Sequence, residues 1–105
     1  MSNIDSSIRQ LITSILESDS YKEYDLQRCR VNQNPELKKQ IDEYRRRNYE
    51  LQSNNSALEK IDEFEKEFCK FREIPLVSDF LAAELDFCRM MQDIYIRITD
   101  SINFE

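Results

Sequence analysis

The last part of the chain, from Ile74 to Ile102, constrains the fold most, because its apolar residues recur with helical spacing. A helix of this length reaches about 40 Å at about 1.5 Å per residue. Phe80, Phe87 and Ile94 repeat every seven residues and widen its apolar stripe. Because the stripe is too wide for one partner helix, we expect several helices to pack on it. The stripe comprises Val77, Leu81, Cys88, Met91, Tyr95, Ile98 and Ile102.

The composition favours one small helical domain that spans residues 1–105. Hydrophobic residues make up 40% of the chain and charged residues 34%, which is typical of long helices around a thin core. Such proteins commonly associate in order to bury more surface. We predict an all-α bundle of about five helices, with a long C-terminal helix, that forms a helical dimer or a higher oligomer.

Two residue types are missing, and their absence limits the possible chemistry. The 105 residues contain no glycine and no histidine. Without glycine the chain has no glycine-rich phosphate loop and no dinucleotide-binding fingerprint. Without histidine it lacks the commonest general base and the usual metal ligand. Because no nucleophile, base or oxyanion donor can be assigned, we predict that the protein is not an enzyme.

The charge and hydropathy of the chain bear on its partners and location. A net charge of −6 disfavours non-specific binding to nucleic acid or to an anionic membrane. No apolar run approaches the roughly 18 residues that span a bilayer. The first residues lack the basic and apolar regions of a signal peptide. We expect a cytoplasmic protein that contacts neither nucleic acid nor membrane directly.

The first two helices are predicted from an apolar face and a capping pattern. The first helix runs from about Ile4 to Ser18, and Ser20 with Glu23 has the capping-box spacing that starts a second helix. The second helix ends near residues 32–34. The apolar face of the first helix comprises Ile4, Ile8, Leu11, Ile12, Ile15 and Leu16.

The remaining helix boundaries are marked by prolines and a polar cluster. Asn34 before Pro35 predicts an N-cap followed by a first-turn proline. The cluster Ser53-Asn54-Asn55-Ser56, with Glu59 three residues later, predicts a break and a new capping box. One continuous, locally bent helix is the rival interpretation of that cluster. Pro75 excludes helical geometry from the residue before it and starts the last helix.

The three cysteines, Cys29, Cys69 and Cys88, are read as reduced thiols. Their spacings of 40 and 19 residues lack the close pairs typical of zinc and iron–sulphur sites. We interpret them as small apolar core residues and predict no cofactor. A metal or redox sensor is the alternative, and an iron–sulphur cluster would then need a further ligand beyond these three thiols.

The charged clusters are interpreted as exposed helix faces. Arg45-Arg46-Arg47 could contact phosphate, but we favour a solvated face paired with Asp42 and Glu43, since the overall charge opposes nucleic acid. Glu63 and Glu67 lie one turn apart, a spacing that could hold a hard cation. Without a converging partner from another segment, they are interpreted as an acidic surface.

The aromatic residues of the last two helices are the candidate interface. Glu84 lies on the same side of the last helix as Val77, Met91 and Ile98, where a charge is costly unless it is paired. Glu84 either forms an ion pair with another chain, which would fix the register between the two chains, or lies at a solvent-exposed edge of the apolar stripe. The predicted interface with a second chain comprises Phe64, Phe68, Phe71, Phe80, Glu84, Phe87 and Met91.

The order of these features resembles the YlbF/YmcA family of bacterial regulators, which includes short YheA-like members. The resemblance covers roughly residues 4–103. It rests on a leading amphipathic helix, then Tyr21-x-x-Tyr24, Asn34-Pro35-Glu36-Leu37 with Ile41, Tyr44 and Arg45, and finally Ile74-Pro75-Leu76-Val77 with Phe80-Leu81 and Ala83-Glu84.

The resemblance implies a function that neither composition nor spacing gives. Family members look like non-enzymatic adaptors of Gram-positive-type bacteria that dimerise or form mixed assemblies. They act on competence, sporulation and biofilm formation, by tuning the ribonuclease that processes messenger RNA. Some carry a cysteine-bearing C-terminal tail associated with an iron–sulphur cluster. This chain ends at Asn103-Phe104-Glu105 without such a tail, so we expect no cluster, and a shorter paralogue whose partners differ.

We therefore predict a non-enzymatic helical adaptor or regulator that acts through protein–protein contacts. The expected partners are a second copy or paralogous helical chains, with a ribonuclease implied by the resemblance. A cysteine-based metal or redox sensor remains an alternative. A structural helical module of a larger assembly is the other alternative.

Overall fold

The computed structural model describes residues 2–53 and 57–102, and these form five helices. No strand occurs within those two ranges. The all-α class and the long C-terminal helix are confirmed, whereas the predicted oligomer stays a prediction. The helices are α1 (Asn3–Glu17), α2 (Asp19–Asn32), α3 (Pro35–Ser53), α4 (Leu58–Phe71) and α5 (Pro75–Ser101).

Two of the predicted helix starts are confirmed by their cap geometry. The Leu37 backbone N–H donates to Asn34 Oδ1 at 3.2 Å, so the asparagine caps α3 ahead of Pro35. Ile74 has extended geometry, with φ −63° and ψ 120°, and Pro75 is the first residue of α5. In both cases a proline occupies the first turn of the helix, where a backbone N–H would have no hydrogen-bond partner within the helix.

The predicted start of α2 is wrong by two residues. Ser18, not Ser20, caps the helix: its backbone is extended and its Oγ accepts the Tyr21 N–H at 3.2 Å. Ser18 thus ends α1 and begins α2. Ser20 lies inside α2, where its hydroxyl donates to Asp86 Oδ2 at 2.8 Å. Both serines could cap a helix, but only Ser18 adopts the extended backbone that capping requires.

The helices α3 and α4 are separate, so the continuous-helix interpretation is wrong. Ala57 precedes α4 with φ −58° and ψ 143°, which is outside the helical region. Ala57 is the N-cap residue, and no side chain of the described residues forms a capping hydrogen bond at this helix start. The capping box predicted for Ser56 lies outside the described residues.

The core forms where α2 packs on the first half of α5. Val77 is fully buried, and Tyr24 of α2 stacks on Phe87 and Phe80, with ring centroids 5.2 and 6.2 Å apart. Ser20 meets Asp86 near one end of α2, and Arg30 meets Asp79 near the other at 3.5 Å, so the two helices run antiparallel. The core comprises Val31, Leu37, Ile41, Phe71, Val77 and Phe80.

A second aromatic cluster joins α3 to α4. Tyr44 stacks on Phe71 with ring centroids 4.5 Å apart and also contacts the rings of Phe64 and Phe68. The Arg47 guanidinium lies 5.4 Å from the Tyr44 ring centroid and 5.2 Å from that of Phe64. Such cation–π contacts shield the apolar ring faces from water.

The molecule is open rather than closely packed. Its radius of gyration is 17.8 Å, against about 13 Å for a compact domain of this length. Its accessible surface is 8413 Å², roughly 2,000 Å² more than is typical of a compact monomer of this mass. The helices therefore leave apolar surface uncovered, and most of it belongs to α1 and to the end of α5.

Candidate functional site

Helix α1 has a continuous apolar face that its own chain does not bury. None of its residues is buried, although the sequence places apolar side chains at helical spacing along one side. The Ser2 hydroxyl caps the helix by accepting the Asp5 N–H at 3.2 Å. Five apolar side chains are between 37% and 70% exposed: Ile4, Ile8, Leu11, Ile12 and Leu16.

The end of α5 is uncovered because α2 is too short to reach it. The buried residues of α5 are Val77, Phe80 and Ala83, all within its first nine positions. At about 1.5 Å per residue, α2 spans about 21 Å and α5 about 40 Å. Beyond Phe87 the predicted stripe therefore lies open. Its exposed residues are Met91, Tyr95, Ile98 and Ile102, with Ile96 beside them, at 39% to 66% exposure.

The two apolar faces meet in a groove. Ile4, Ile8 and Leu11 of α1 line it together with Ile98 of α5, and its volume is about 320 Å³. We call the exposed apolar side chains of α1 and of residues 91–102 the α1/α5 surface. Charges of both signs accompany it: Asp5 and Arg9 lie on α1, and Asp93 pairs with Arg97 on α5 at 3.8 Å. Exposed apolar side chains with such polar residues around them are typical of a protein-interaction site.

The residues predicted as an interface are placed differently by the structure. Phe64, Phe71 and Phe80 are buried within the chain, so most of their ring surface is already covered. Phe68 and Phe87 are half-buried, and each stacks on an aromatic ring of its own chain. Of the residues predicted as an interface, only Met91 belongs to the exposed α1/α5 surface. Contact of these side chains with a second chain stays a prediction.

Glu84 has its ion-pair partner in the same chain. Its Oε2 lies 2.5 Å from Arg45 Nη2, with the two side chains 27% and 49% exposed. The Arg45 guanidinium also lies 5.6 Å from the Phe80 ring centroid. The charge on the apolar row is thus compensated at the edge of the core, where α3 faces α5. The Glu84 carboxylate therefore needs no ion pair with another chain to compensate its charge.

The arginine cluster is paired with acidic residues, and of the two predicted partners Glu43 forms a pair whereas Asp42 does not within the described residues. Arg46 pairs with Glu43 and Glu50 along α3, and Arg47 pairs with Glu67 of α4 at 2.7 Å. Both guanidinium groups donate hydrogen bonds to these carboxylates, and these bonds raise the pKa of Arg46 and of Arg47 above its usual value. The predicted pairing with Asp42 is wrong, because Arg46 pairs with Glu43, three residues before it, instead of with Asp42, four residues before it. All three arginines thus have acidic partners, which weakens any role in phosphate binding.

The sequence of the chain matches one known protein family. A family model described as "Control of competence regulator ComK, YlbF/YmcA" matches residues 4–103, and this range includes all but the first residue of the five helices. The chain belongs to the YlbF/YmcA family. No curated protein and no solved structure gave a match. The family description assigns this YlbF/YmcA chain a regulatory role.

The cysteines of this YlbF/YmcA chain are not core residues, and that prediction is wrong. Cys29, Cys69 and Cys88 are all exposed and free. Cys88 follows the helical period of the α5 stripe, but it lies on the part of the helix that faces solvent. Among residues 2–53 and 57–102, no three Cys, Asp or Glu side chains converge as a metal site would require. None of the helices in the same ranges is long and apolar enough to cross a membrane.

Sequence reasoning identified the apolar face of α1 but did not assign it a role. The informative signal was a mismatch of lengths: a second helix of about 14 residues cannot cover a last helix twice as long. The first helix carries its own apolar stripe and adds to the unburied area. These two facts together point to the α1/α5 surface of this YlbF/YmcA chain.

Proposed function

We propose that this YlbF/YmcA-family chain is a non-enzymatic adaptor that regulates by burying its α1/α5 surface against a second helical chain. The occupant is another copy of the chain or a paralogous chain of similar helices. The observation that carries the proposal is that α1 buries none of its residues although it has a full apolar face.

Helix stability supports the need for a covering partner. Isolated helices shorter than about 12–15 residues are marginal in water, and most helical stability in proteins comes from packing an apolar face. Helix α1 has 15 residues and packs mainly against the neighbouring α2. A second chain that covers Ile4, Ile8 and Ile12 would supply the packing that its own chain does not.

The available area is large enough for a stable interface. A standard interface buries about 800 Å² on each partner. The chain exposes roughly 2,000 Å² more than a compact monomer of its mass. The excess over the whole chain is larger than one partner's share of a standard interface, and the exposed apolar side chains of the α1/α5 surface contribute to it.

The charges around this surface favour a partner of the same kind. The whole chain carries a net charge of −6, which would make two copies repel each other if the charges were evenly spread. Around the α1/α5 surface the signs are mixed, with Asp5 and Arg9 on one helix and Asp93 and Arg97 on the other. Such a mixture allows opposite charges to meet when two similar surfaces pair.

The process and location follow from the family rather than from the geometry. The family is described as controlling the competence regulator ComK. We propose that the chain acts in the cytoplasm, without a resident cofactor, in assemblies that include paralogous chains and a messenger-RNA-processing ribonuclease. The absence of histidine and the pairing of Arg45, Arg46 and Arg47 with acidic groups support a role without catalysis or direct nucleic-acid binding.

The proposal is tested by introducing a charge on α1 in the host. Ile8→Glu places a carboxylate within the groove, where partner burial would desolvate it at high cost. The matched control is Gln10→Glu, which adds the same charge to the opposite side of the same helix. A ComK-dependent reporter is measured in a strain that lacks the chain and is complemented with wild type or either variant.

We expect wild type and Gln10→Glu to restore the reporter level, and Ile8→Glu to fail although its circular dichroism loses at most the helical contribution of α1, so that α2 to α5 stay folded. Full restoration by a folded Ile8→Glu chain would contradict regulation through the α1/α5 surface. Failure of both variants to the same degree would show that added charge, rather than loss of this surface, causes the defect.

A further inference from the structure

A second concave feature lies between α3, α4 and α5, apart from the α1/α5 surface. It is a cavity of about 450 Å³ whose walls include four aromatic rings. Its lining shares no residue with the α1/α5 surface. The rings belong to Tyr44, Phe64, Phe68 and Phe71, and Ile41 and Leu81 add aliphatic surface.

Arg72 provides the positive charge of this cavity that is available to a ligand. Its guanidinium lies 5.0 Å from the Phe68 ring centroid, and its Nη2 donates a hydrogen bond to Cys69 Sγ at 3.5 Å. None of the ion pairs found in the described part of the chain involves Arg72. Arg45 also lines the cavity, but it is paired with Glu84.

The other polar groups at the cavity limit the charge that a ligand can carry. The Asn48 amide can donate or accept a hydrogen bond. Glu65 also lines the cavity and takes part in none of the ion pairs formed by the described residues. Within the described ranges, one unpaired guanidinium and one unpaired carboxylate in the same lining favour a ligand with a single negative charge over a dianion, because the carboxylate repels a second negative charge.

We propose that this cavity binds a small amphipathic monoanion, with a planar aromatic body and one carboxylate or sulphonate group. The volume lies within the range of about 300–1,000 Å³ found for small-molecule sites. The half-buried rings of Tyr44 and Phe68 offer edge-to-face or offset contacts to the ligand body, whereas Phe64 and Phe71, whose surfaces are mostly covered by their own chain, form the back wall. Arg72 binds the acidic group, since a guanidinium forms bidentate hydrogen bonds with such groups.

This inference goes beyond the adaptor function and does not depend on it. The cavity is formed within one chain by three helices, so it needs no partner to complete it. Occupancy would add contacts between α4 and the rest of the chain, because α3 and α5 supply the other walls. Ligand binding would therefore stabilise α4 in particular.

The probe pair for the test is 2-naphthoate and its neutral analogue 2-naphthamide. Each is titrated into the full-length, ¹⁵N-labelled chain, and amide chemical shifts are followed. We expect 2-naphthoate to shift the amides of α4 near Phe64, Phe68 and Arg72, and to bind about tenfold more tightly than 2-naphthamide, because only the carboxylate engages the guanidinium.

Two variants separate the charge from the cavity. Arg72→Gln removes the charge, so 2-naphthoate affinity should fall about tenfold while 2-naphthamide affinity stays the same. Cys69→Trp places a bulky side chain at the exposed wall of the cavity and should abolish binding of both probes. Cys29→Trp is the matched control, because Cys29 is also exposed but lies on α2 and does not line the cavity.

Several results would contradict the proposed binding site. Equal affinities for the two probes, or no effect of Arg72→Gln, would overturn the preference for an anion. Shifts confined to residues of α1 and 91–102, or binding that survives Cys69→Trp, would overturn the site itself. No detectable binding by the wild-type chain would also reject the proposal, and none of these outcomes bears on the α1/α5 surface.

Discussion

Replacing Phe80 with alanine tests whether this ring belongs to the core of one chain rather than to an interface. Phe80 is 6% exposed, stacks on Tyr24 and lies under the Arg45 guanidinium. Burying an aromatic side chain of about 150–250 Å² at about 25 cal/mol/Å² corresponds to about 4–6 kcal/mol, an upper bound because the unfolded chain is partly compact. Measured Phe→Ala costs in cores are about 3–5 kcal/mol, which we take as the expected loss.

Urea denaturation followed by circular dichroism measures this loss. For a slope of about 1.5 kcal/mol per molar urea, the midpoint should fall by about 2–3 M. The experiment uses the Ile8→Glu background, so that association through α1 does not contribute, and compares low with high protein concentration. Phe80→Leu is the control and should lose about 1 kcal/mol, because it keeps most of the apolar volume.

The loss should be the same at both concentrations, since it arises within one chain. A loss below about 1 kcal/mol for Phe80→Ala would refute its assignment to the core. A loss that grows with protein concentration would instead place the ring in an interface between chains.

Three further predictions concern other described contacts. Glu84→Gln should cost less than about 1 kcal/mol in urea denaturation and the difference should shrink in high salt, because its pair with Arg45 is partly exposed; an effect independent of salt would contradict this. Asn34→Ala should cost about 1 kcal/mol by the same assay through loss of the α3 cap, whereas Asn34→Asp should cost little, and equal losses would argue against capping. All three thiols should react with Ellman's reagent in the folded protein without denaturant; a thiol that reacts only after unfolding would contradict the exposure of Cys29, Cys69 or Cys88.

The helices were predictable because their signals are local. Pro35 and Pro75 each fix a helix start through the geometry of a single turn, and the α5 period follows from its apolar spacing. The choice between Ser18 and Ser20 was not predictable in the same way. Both have the right side chain, and only the direction in which α1 enters α2 determines which one adopts the extended backbone.

Which apolar face is covered could not be read from periodicity. The spacing of Phe64, Phe80 and Met91 shows that each lies on an apolar stripe, but the stripe is the same whether its own chain or another chain covers it. The structure places the first two in the core and leaves Met91 exposed. The same limit explains the error for Cys88, whose position along α5 fits the stripe although its side chain is exposed.

The most direct test of the central claim is sedimentation velocity of the chain alone and mixed with each paralogous helical chain of its host. We expect at least one of these samples to contain a species heavier than the 12.7 kDa monomer. That species should persist with Gln10→Glu and disappear with Ile8→Glu. A folded wild-type chain that stays monomeric in every mixture, or an assembly that Ile8→Glu leaves unchanged, would contradict the claim that the α1/α5 surface binds a second helical chain.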